Sequence, residues 1–445
     1  MTHFFNEPIL CPGVKNMKQP CFNRRRFLKT VAVACTTVAV PTLIPGHVLG
    51  LDGEVPPSEK IVMGGIGIGG RGGHDLSVLL REKVAKFVAI ANVLKTRRQQ
   101  VKAMVDDFYK NEDCAMYWDM FEMLDRQDID AVLITLGDRW HTMASICAAK
   151  AGKDIYCEKP LSLTIQESRA VADAMTRYGR IFQAGTQRRN IRNFQIAANI
   201  AHSGKLGKLT EVHANTLYPA TTHNWLPAEP EPNVDDFNWN RWLGPCPWRP
   251  YNRAYINGWG GHYDFHGGGI LEWGTHTVDL CQWANQSDDT VPVEYWPIID
   301  ANGNKGSANE ALYANGVKLV MRDQGWLGLG TCSARYVGEE GWVETGDSGR
   351  MAVSNDSLRS DIKYIPMAGT DPDNHIREFL ECVKTRRYPA SNGNVAANAH
   401  IACHCAYIAW QLGRKVTFDP VTETFPGDEE ANRMITRATR DIWRF

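Results

Sequence analysis

Residues 61–72 read IVMGGIGIGGRG, an apolar run that leads directly into a glycine-rich turn. The run is typical of a buried strand, and the GxGxxG spacing predicts a strand, a phosphate-binding loop and then a helix rather than a glycine turn without a ligand. The three glycines would allow a sharp turn, a close approach of a pyrophosphate, and tight packing of the helix on the sheet. Free N–H groups at the helix start would bind the phosphates. The residues predicted to contact a dinucleotide here are Gly67, Gly69, Gly70, Arg71 and Gly72.

Strand and helix patterns alternate from this turn onward, through the strand-like runs VAKFVAIA, AVLITL, DIYC and RIFQAG. This order predicts an α/β chain in which residues 60–187 form a doubly wound, parallel Rossmann domain. Residues 188–445 begin with a proline-rich excursion and continue with the strand-like runs GVKLVMR and GWVETG and with helix candidates at 375–384 and 396–412. For them we predict an α+β domain with a mixed, largely antiparallel sheet, which would bind substrate.

The charge of the chain is nearly balanced, with 49 Lys and Arg against 50 Asp and Glu among 445 residues. No basic surface for nucleic acid or anionic lipid is therefore expected, and a small, weakly charged molecule is the default partner. After residue 50 no apolar run is long enough to span a bilayer, so no membrane contact is expected once the N-terminal segment is removed.

The first fifty residues have the pattern of an export signal. The basic segment NRRRFLK, residues 23–29, precedes an apolar, small-residue run at 30–44, and Arg24 and Arg25 resemble the twin-arginine signal. We therefore expect a signal at 1–50, a linker at 51–59 and a periplasmic location, in preference to a buried N-terminal helix. Because the twin-arginine machinery carries folded proteins and a periplasm supplies little free dinucleotide, the cofactor is expected to travel tightly bound.

The strand after the glycine turn ends in Asn92, where a carboxylate normally binds the ribose hydroxyls. An amide can still bond a hydroxyl, and it does not repel a 2'-phosphate. Lys95, Arg97 and Arg98 follow closely, and Asn92 and Arg97 are predicted to contact the cofactor. The choice between NAD and NADP stays open at this point.

Four further motifs make the sequence recognisable: GDRWH at 137–141, CEKP at 157–160, GTQRR at 185–189 and EWGTHTVD at 272–279. With the glycine turn, they resemble the Gfo/Idh/MocA family of glucose-fructose oxidoreductases and inositol dehydrogenases. The resemblance implies a nicotinamide cofactor and a sugar or polyol substrate. It also implies further cofactor contacts at Asp138, Trp140, His141, Glu158, Lys159, Gln187 and Arg188.

The same resemblance places a catalytic lysine at Lys159 and a carboxylate and histidine at Glu272 and His276, although the family usually has Asp where this chain has Glu272. Residues four apart share a helix face, so these two side chains are expected to reach one substrate hydroxyl. His276 would take the hydroxyl proton and Lys159 would stabilise the developing alkoxide. Asp279 lies one further turn along the same predicted helix.

Several residues before this helix are candidates for substrate contact. The predicted substrate residues are Trp259, Tyr263, Asp264 and His276. His262, Asp264 and His266 alternate, so on a strand they would share a face and could bind zinc with Glu272, but substrate contact or packing is preferred and no metal is expected. The tryptophans of the excursion either stack on sugars or stabilise the loop. These tryptophans are Trp225, Trp239, Trp242, Trp248, Trp259 and Trp273.

The resulting hypothesis is an exported NAD(P)-dependent oxidoreductase that transfers a hydride between a sugar or polyol hydroxyl and a bound cofactor. One alternative is an NAD-dependent glycoside hydrolase that oxidises the sugar transiently, eliminates the substituent, adds water and reduces again. A second alternative is a sugar-binding protein that retains the dinucleotide without catalysis. The resemblance also implies a homo-oligomer.

Overall fold

The computed structural model describes residues 55–360 and 373–443. The twin-arginine signal predicted for residues 1–50 lies outside these ranges. The described part of the predicted linker contains a short 3-10 helix, Pro57–Glu59. Within the described ranges, no helix has the length and apolar character needed to cross a bilayer.

The first domain is a six-stranded parallel sheet with apolar clusters on both faces. The strand order β3-β2-β1-β4-β5-β6 confirms the predicted doubly wound Rossmann sheet, and it reverses direction between β1 and β4. The strands are β1 (Ile61–Ile66), β2 (Ala85–Ala91), β3 (Ala115–Tyr117), β4 (Ala131–Ile134), β5 (Asp154–Cys157) and β6 (Phe182–Ala184). The helices are α1 (Gly70–Arg81), α2 (Lys95–Tyr109), α3 (Met120–Leu124), α4 (Asp138–Lys150) and α5 (Ile165–Tyr178).

Local sequence explains where these helices begin. Helix α5 starts with a capping box, in which the Thr164 hydroxyl accepts a hydrogen bond from the Glu167 N–H and the Glu167 carboxylate accepts one from the Leu163 N–H. Helix α4 starts at Asp138 rather than at the predicted His141, because Gly137 is still extended and its carbonyl accepts the first helical bond. Asp138 therefore lies at a helix N-terminus, at the carboxyl edge of the sheet.

The second domain is built on an eight-stranded mixed sheet ordered β13-β12-β11-β7-β10-β9-β8-β14. Only the central β7–β10 pair is parallel, which confirms the predicted mixed, largely antiparallel sheet. The strands are β7 (Leu209–Asn215), β8 (Glu294–Ile299), β9 (Lys305–Leu312), β10 (Lys318–Arg322), β11 (Ala334–Gly338), β12 (Gly341–Thr345), β13 (Met351–Val353) and β14 (Val416–Thr417).

Eight helices lie in the described part of the chain after the first domain. They are α6 (Arg192–His202), α7 (Trp239–Leu243), α8 (Arg253–Asn257), α9 (Gly269–Glu272), α10 (Gly274–Ala284), α11 (Asp373–Thr385), α12 (Gly393–Leu412) and α13 (Glu429–Asn432). Single 3-10 turns occupy Gln187–Asn190, Trp259–Gly261, Asp356–Leu358, Arg433–Ile435 and Asp441–Trp443.

The predicted assignment of residues 188–445 to the second domain needs correction for helix α11. Its buried residues Ile376, Phe379 and Leu380 join the cluster that covers one face of the Rossmann sheet, together with Ile61 and Leu76. The apolar face of α11 therefore completes the first domain, although its sequence lies far from that domain. The boundary at residue 187 does not separate the two cores.

Helix α12 begins at Gly393, earlier than predicted, because the Asn392 side chain caps it by accepting hydrogen bonds from two N–H groups of the first turn. Along its length Cys403 and Cys405 are buried free thiols in the apolar cluster of the second domain. His404 between them bonds the hydroxyl of Ser162. Cys403, His404 and Cys405 are thus parts of a core helix.

The excursion between β7 and β8 crosses over the first domain. We call residues 235–244 the cover segment. Its main chain bonds the start of α2, where Lys95 N–H donates to Asp236 O at 2.9 Å. Its end bonds the start of α4, where the Arg139 Nε donates to Trp242 O at 2.8 Å. The second domain therefore supplies one wall over the carboxyl edge of the Rossmann sheet.

Candidate active site

The glycine turn leaves open space above the start of helix α1. Gly67 has φ of +79° and a Cβ there would meet the Leu136 side chain, so the sharp turn requires glycine. A Cβ at Gly72 would lie against Thr135, which shows how closely the helix packs on the sheet, whereas a Cβ at Gly70 would meet no atom within 4 Å. No side chain caps the helix, so its first N–H groups face this open space.

A cavity of about 470 Å³ lies over this turn, between the two domains. The predicted site residues that line it are Gly67, Gly69, Gly70, Arg71, Gly72, Asn92, Arg97, Asp138, Trp140, Glu158, Lys159, Trp259 and Glu272. The predicted site residues that are absent from its lining are His141, Gln187, Arg188, Tyr263, Asp264 and His276. The residues that sequence reasoning did not assign include Trp118, Arg139, Phe237, Arg241, Trp242 and Ile256.

Most of the unassigned lining comes from the cover segment and its supports. Arg139 lies inside the GDRWH motif and could have been chosen, and its guanidinium lies 3.7 Å from the centre of the Trp242 ring. Nothing in the local sequence of Phe237 indicates a cleft residue, because its position depends on a long-range bridge to Leu94. Trp239 and Trp242 stack at 4.9 Å and are buried, so these two indoles stabilise the excursion.

An ion pair joins the two domains at the floor of the cavity. Lys159 follows strand β5, and its Nζ donates a hydrogen bond to the Glu272 Oε1 at 2.5 Å. The lysine side chain is only 12% exposed. Burial alone would raise the pKa of Glu272, but the hydrogen bond from His266 and the charge of Lys159 lower that pKa to about 2. Glu272 is therefore an anion at neutral pH, and it holds the ammonium at the cavity surface.

His266 binds the other side of this carboxylate. Its Nε2 lies 3.2 Å from the Glu272 Oε2 and 3.6 Å from the Asp138 Oδ2. Burial opposes a charge on the ring, while Asp138 and Glu272 raise the pKa of His266 overall. The Nδ1 atom, however, accepts the Gly268 N–H at 2.8 Å, so the ring carries one proton, on Nε2. His266 therefore donates to Glu272 and orients it toward Lys159.

His276 has different surroundings from those its spacing predicts. Helix α9 ends at Glu272, and α10 begins only at Gly274, so Glu272 and His276 do not share one continuous helix face. The His276 Nε2 accepts the Arg188 Nη1 at 2.9 Å, and Arg188 is itself held by Asp347. Burial, with the nearby charges of Arg188 and Lys159, holds the pKa of His276 well below its usual value. Asp279, one turn on, is paired with Arg189.

The predicted alternation of His262, Asp264 and His266 on one strand face is wrong, because residues 263–265 form a turn. His262 and Asp264 both contact the Arg249 guanidinium, and His266 alone faces the cavity side chains. The predicted substrate residue Tyr263 lies under Arg437, away from the cavity lining. These three residues therefore do not form the common strand face on which the zinc alternative depends.

A different trio offers ligand atoms close together. Among the described residues, Asp138, His266 and Glu272 have ligand atoms within 4.8 Å of one another. Asp138 already accepts the Gly267 N–H, and Glu272 already pairs with Lys159. The positive charge that a cluster of two carboxylates requires is thus supplied by the lysine ammonium.

Arg71 is held at the glycine turn by two buried carboxylates. It lies 2.9 Å from the Asp75 Oδ1 and 3.6 Å from the Glu158 Oε1, and Tyr156 also reaches Glu158. Burial and the charge of Glu158 raise the pKa of Asp75 to about 8. The Arg71 guanidinium and the two carboxyl groups thus form one closely spaced group beneath the phosphate loop.

Three buried histidines anchor the segment after Lys159. His141 bonds the Pro160 carbonyl at 2.6 Å, His400 accepts the Leu161 N–H at 2.8 Å, and His404 bonds Ser162 at 3.0 Å. Burial lowers the pKa values of His141 and His400 to about 4. The Lys159 loop is therefore fixed by neutral imidazoles, and His141 acts from behind the cavity rather than in it.

Two family models match the chain: "Oxidoreductase family, NAD-binding Rossmann fold" over residues 60–186 and "Oxidoreductase family, C-terminal alpha/beta domain" over residues 217–445. The chain is 30% identical over 130 residues to an inositol 2-dehydrogenase of Azotobacter vinelandii, which is 29% of this chain and 37% of that protein. It is 34% identical over 124 residues to a Bacillus subtilis scyllo-inositol 2-dehydrogenase (NAD(+)), covering 28% and 34%. The match thus spans well under half the length of these curated relatives.

Among solved structures, the myo-inositol 2-dehydrogenase of Lactobacillus plantarum superposes with a TM-score of 0.58 at 19% identity. The superposition covers 81% of this chain and all of that one, so the two share their whole two-domain fold. At this identity the likeness is one of fold.

The neutral, buried histidines lead us to predict how the free energy of unfolding depends on pH. His400 stays uncharged in the folded protein down to about pH 4, whereas a histidine in an unfolded chain binds a proton near pH 6.5. Folding stability is therefore lost as the pH falls through this window, by up to about 1.4 kcal/mol per pH unit for this residue. We expect His400→Gln, whose amide can still accept the Leu161 N–H, to show a shallower pH dependence of unfolding free energy than the wild type.

Urea unfolding across this pH window measures the two slopes. The substitution His223→Gln, at an exposed position, controls for the loss of one imidazole. Equal slopes for the wild type and His400→Gln would show that His400 is already charged in the folded protein.

Proposed function

The chain belongs to the Gfo/Idh/MocA oxidoreductase family, and from this membership we propose that it transfers a hydride between a hydroxyl of a sugar or polyol and a nicotinamide dinucleotide. The inositol dehydrogenases among its relatives support a polyhydroxylated substrate. The observation that carries the proposal is the Lys159–Glu272 pair, which lies in the same cavity as the glycine turn and is contributed by both domains.

The described residues fit a dinucleotide. The uncapped start of α1 and the open space above Gly70 suit a pyrophosphate, and Asn92 and Arg97 lie at the ribose end of the same cavity. Lys159 and Glu272 lie beside Asp138 at the other end, where the nicotinamide would be held. When bound, the nicotinamide supplies the hydride acceptor for alcohol oxidation.

The side chains around Lys159 can manage the proton that alcohol oxidation releases. Lys159 donates a hydrogen bond to the substrate oxygen and stabilises negative charge on it. One Lys159 proton passes to the Glu272 Oε1, 2.5 Å from the Nζ, and the lone pair that this leaves on the nitrogen takes the hydroxyl proton, so the lysine ends as an ammonium and Glu272 as the carboxylic acid. His266 keeps Glu272 in place for this exchange. This arrangement favours Lys159 and Glu272 over His276, because the Nε2 of His276 is occupied by Arg188.

We expect Lys159→Ala and Glu272→Gln each to lower kcat for polyol oxidation by about 100-fold or more, because each removes one partner of the proton exchange. Reduced nicotinamide formed from a panel of sugars and inositols, with dinucleotide present, measures the rate. The exposed substitutions Lys110→Ala and Glu429→Gln serve as matched controls. Wild-type turnover in both site variants, or release of a reducing sugar without net cofactor change, would contradict the proposal.

We further propose that the cofactor is tightly bound. The cover segment supports this, because Phe237, Arg241 and Trp242 wall the cavity from the second domain. The hydrogen bonds that hold the segment include Lys95 N–H to Asp236 O, Trp140 Nε1 to Arg241 O and Arg440 Nε to Gly244 O. Release of a dinucleotide would require these bonds to open together.

Gly244 provides a test of the cover segment. It has φ of +56°, and a Cβ there would lie 2.3 Å from the Trp140 indole. Gly244→Ala must therefore displace the segment, and we expect it to release dinucleotide at least about 10-fold faster than the wild type, since 1.4 kcal/mol corresponds to a factor of ten and such strain costs about 1–3 kcal/mol. Dinucleotide retained after prolonged dialysis measures the release.

Gly316→Ala is the matched control, because Gly316 has φ of +87° but its Cβ would meet no atom. It shares the backbone strain without touching the cavity wall. Equal retention in both variants would show that the cover segment does not limit release.

We also propose that the twin-arginine machinery exports the protein, on the basis of NRRRFLK at residues 23–29. We expect replacement of Arg24 and Arg25 together by Lys to leave the protein in the cytoplasmic fraction. Replacement of Arg26 by Lys is the matched control, because Arg26 lies beside the pair. Immunoblots of periplasmic and cytoplasmic fractions measure the outcome, and undiminished periplasmic protein in the double variant would exclude this route.

We propose a homo-oligomer as the assembled form. The exposed apolar residues Ile298, Trp326 and Leu327 of the second domain support it, because such side chains are commonly covered in assemblies. Light scattering gives the mass, and a monomer at micromolar concentration would contradict the proposal.

A further inference from the structure

The end of strand β2 forms the far end of the cavity from Lys159. The Gly67 N–H donates to the Ala91 carbonyl at 2.8 Å, which fixes the glycine turn beside the last residue of β2. Asn92 follows directly, and its side chain lines the cavity. In a doubly wound domain this position faces the ribose that carries the adenine, so its chemistry selects the ribose substituent.

The polar side-chain atom of Asn92 that has no partner within the described part of the chain is the donor Nδ2. Its Oδ1 accepts the Leu94 N–H at 2.9 Å, and since an N–H can only donate, the atom facing Leu94 must be the oxygen. The Asn92 main-chain carbonyl is occupied as well, by the Arg98 guanidinium at 2.5 Å. The remaining polar group is the amide Nδ2, which makes no hydrogen bond to the described residues.

The Asn92 amide differs in charge and in hydrogen bonding from the carboxylate that suits two free ribose hydroxyls. A carboxylate at this position accepts hydrogen bonds from the 2'- and 3'-hydroxyls, and it repels a phosphate. An amide whose oxygen already accepts a backbone N–H leaves its own N–H groups as the unpaired polar atoms, and these bind a phosphate anion more strongly than a neutral hydroxyl. The position therefore suits a phosphorylated 2'-oxygen.

Arg97 is the cation at this end of the cavity with room for an anion. It lies in the first turn of α2, it is exposed, it lines the cavity, and its one side-chain hydrogen bond is to the neutral Gln100. The neighbouring cations are engaged: Lys95 pairs with Asp236, Arg241 pairs with Asp119, and Arg98 bonds the carbonyls of Asn92 and Asp235.

The carboxylates near this end do not oppose an anion beside Arg97. Asp119 is held by Arg241 and by the Phe121 N–H, and Asp236 is held by Lys95. Asp235 is exposed to water. Arg97 also lies in the first turn of helix α2, at its positive dipole end, although the Lys95 N–H of that turn is already bonded to the Asp236 carbonyl.

We propose that this site selects a 2'-phosphorylated dinucleotide, NADP, with the phosphate bound by the Asn92 amide Nδ2 and the Arg97 guanidinium. The inference rests on the proposed function, because it concerns the cofactor of that same site. Arginine and amide N–H groups form charge-assisted hydrogen bonds with phosphate oxygens, which are the stronger class of such bonds.

A competition experiment with the full-length purified protein tests the selection directly. The protein is equilibrated with equal concentrations of NAD+ and NADP+ until the bound ratio is constant, free ligand is removed, and the bound dinucleotides are released by denaturation and quantified by mass spectrometry. We expect NADP to exceed NAD by about 10-fold or more, because only NADP has a 2'-phosphate that can form charge-assisted hydrogen bonds with these two side chains.

Two substitutions test whether Arg97 and Asn92 determine the preference for NADP. Arg97→Ala should lower the NADP-to-NAD ratio by about 10-fold, and Asn92→Asp should reverse the preference, because a carboxylate repels the phosphate and accepts the hydroxyls. Arg387→Ala, an exposed arginine outside the cavity, should leave the ratio unchanged. Both site substitutions are at partly or fully exposed positions, so the fold is expected to persist, and circular dichroism checks it.

The outcomes separate this inference from the proposed function. A bound ratio that favours NAD, or one that neither substitution changes, overturns the NADP selection and leaves the oxidoreductase proposal intact. Binding of neither dinucleotide overturns both. An excess of NADP that falls in Arg97→Ala and reverses in Asn92→Asp supports the selection.

Discussion

Pairing of buried charge between the two domains is the constraint on which this structure depends. Lys159 from the first domain meets Glu272 from the second, and Arg241 of the second domain similarly meets Asp119 of the first. Loss of one partner from a buried pair leaves an uncompensated charge and costs about 3–5 kcal/mol. The relative position of the domains is therefore fixed where the cavity needs it, because a small displacement would leave an ammonium or a guanidinium without its carboxylate.

The sequence predicts the fold well, because both periodicity and glycine spacing report local geometry. The strand runs and GIGGRG indicate a parallel sheet with a phosphate loop, and the structure has both. The sequence does not show that helix α11 packs in the core of the first domain. An amphipathic pattern reveals that a helix has an apolar face, but not which sheet that face covers. Such pairings are set by contacts between residues hundreds of positions apart.

The candidate site is predictable in part for the same reason. Lys159 and Glu272 belong to the motifs CEKP and EWGTHTVD, and their side chains meet in the cavity. The spacing of Glu272 and His276 suggests one helix face, but the helix is interrupted at Trp273 between them. Only the folded chain shows that Arg188 bonds the Nε2 atom of the His276 ring. Phe237 could not have been identified, because a residue in a proline-rich loop becomes a cavity wall only through bonds to a distant strand end.

The path of the chain across the cavity has a consequence for biosynthesis. The glycine turn lies at residues 67–72, yet the wall over it comes from residues 235–244, whose Gly244 carbonyl is bonded by Arg440. A nascent chain that ends before Arg440 thus lacks a bond that holds this wall in the finished molecule. The wall can therefore be secured only after nearly the whole polypeptide has been translated.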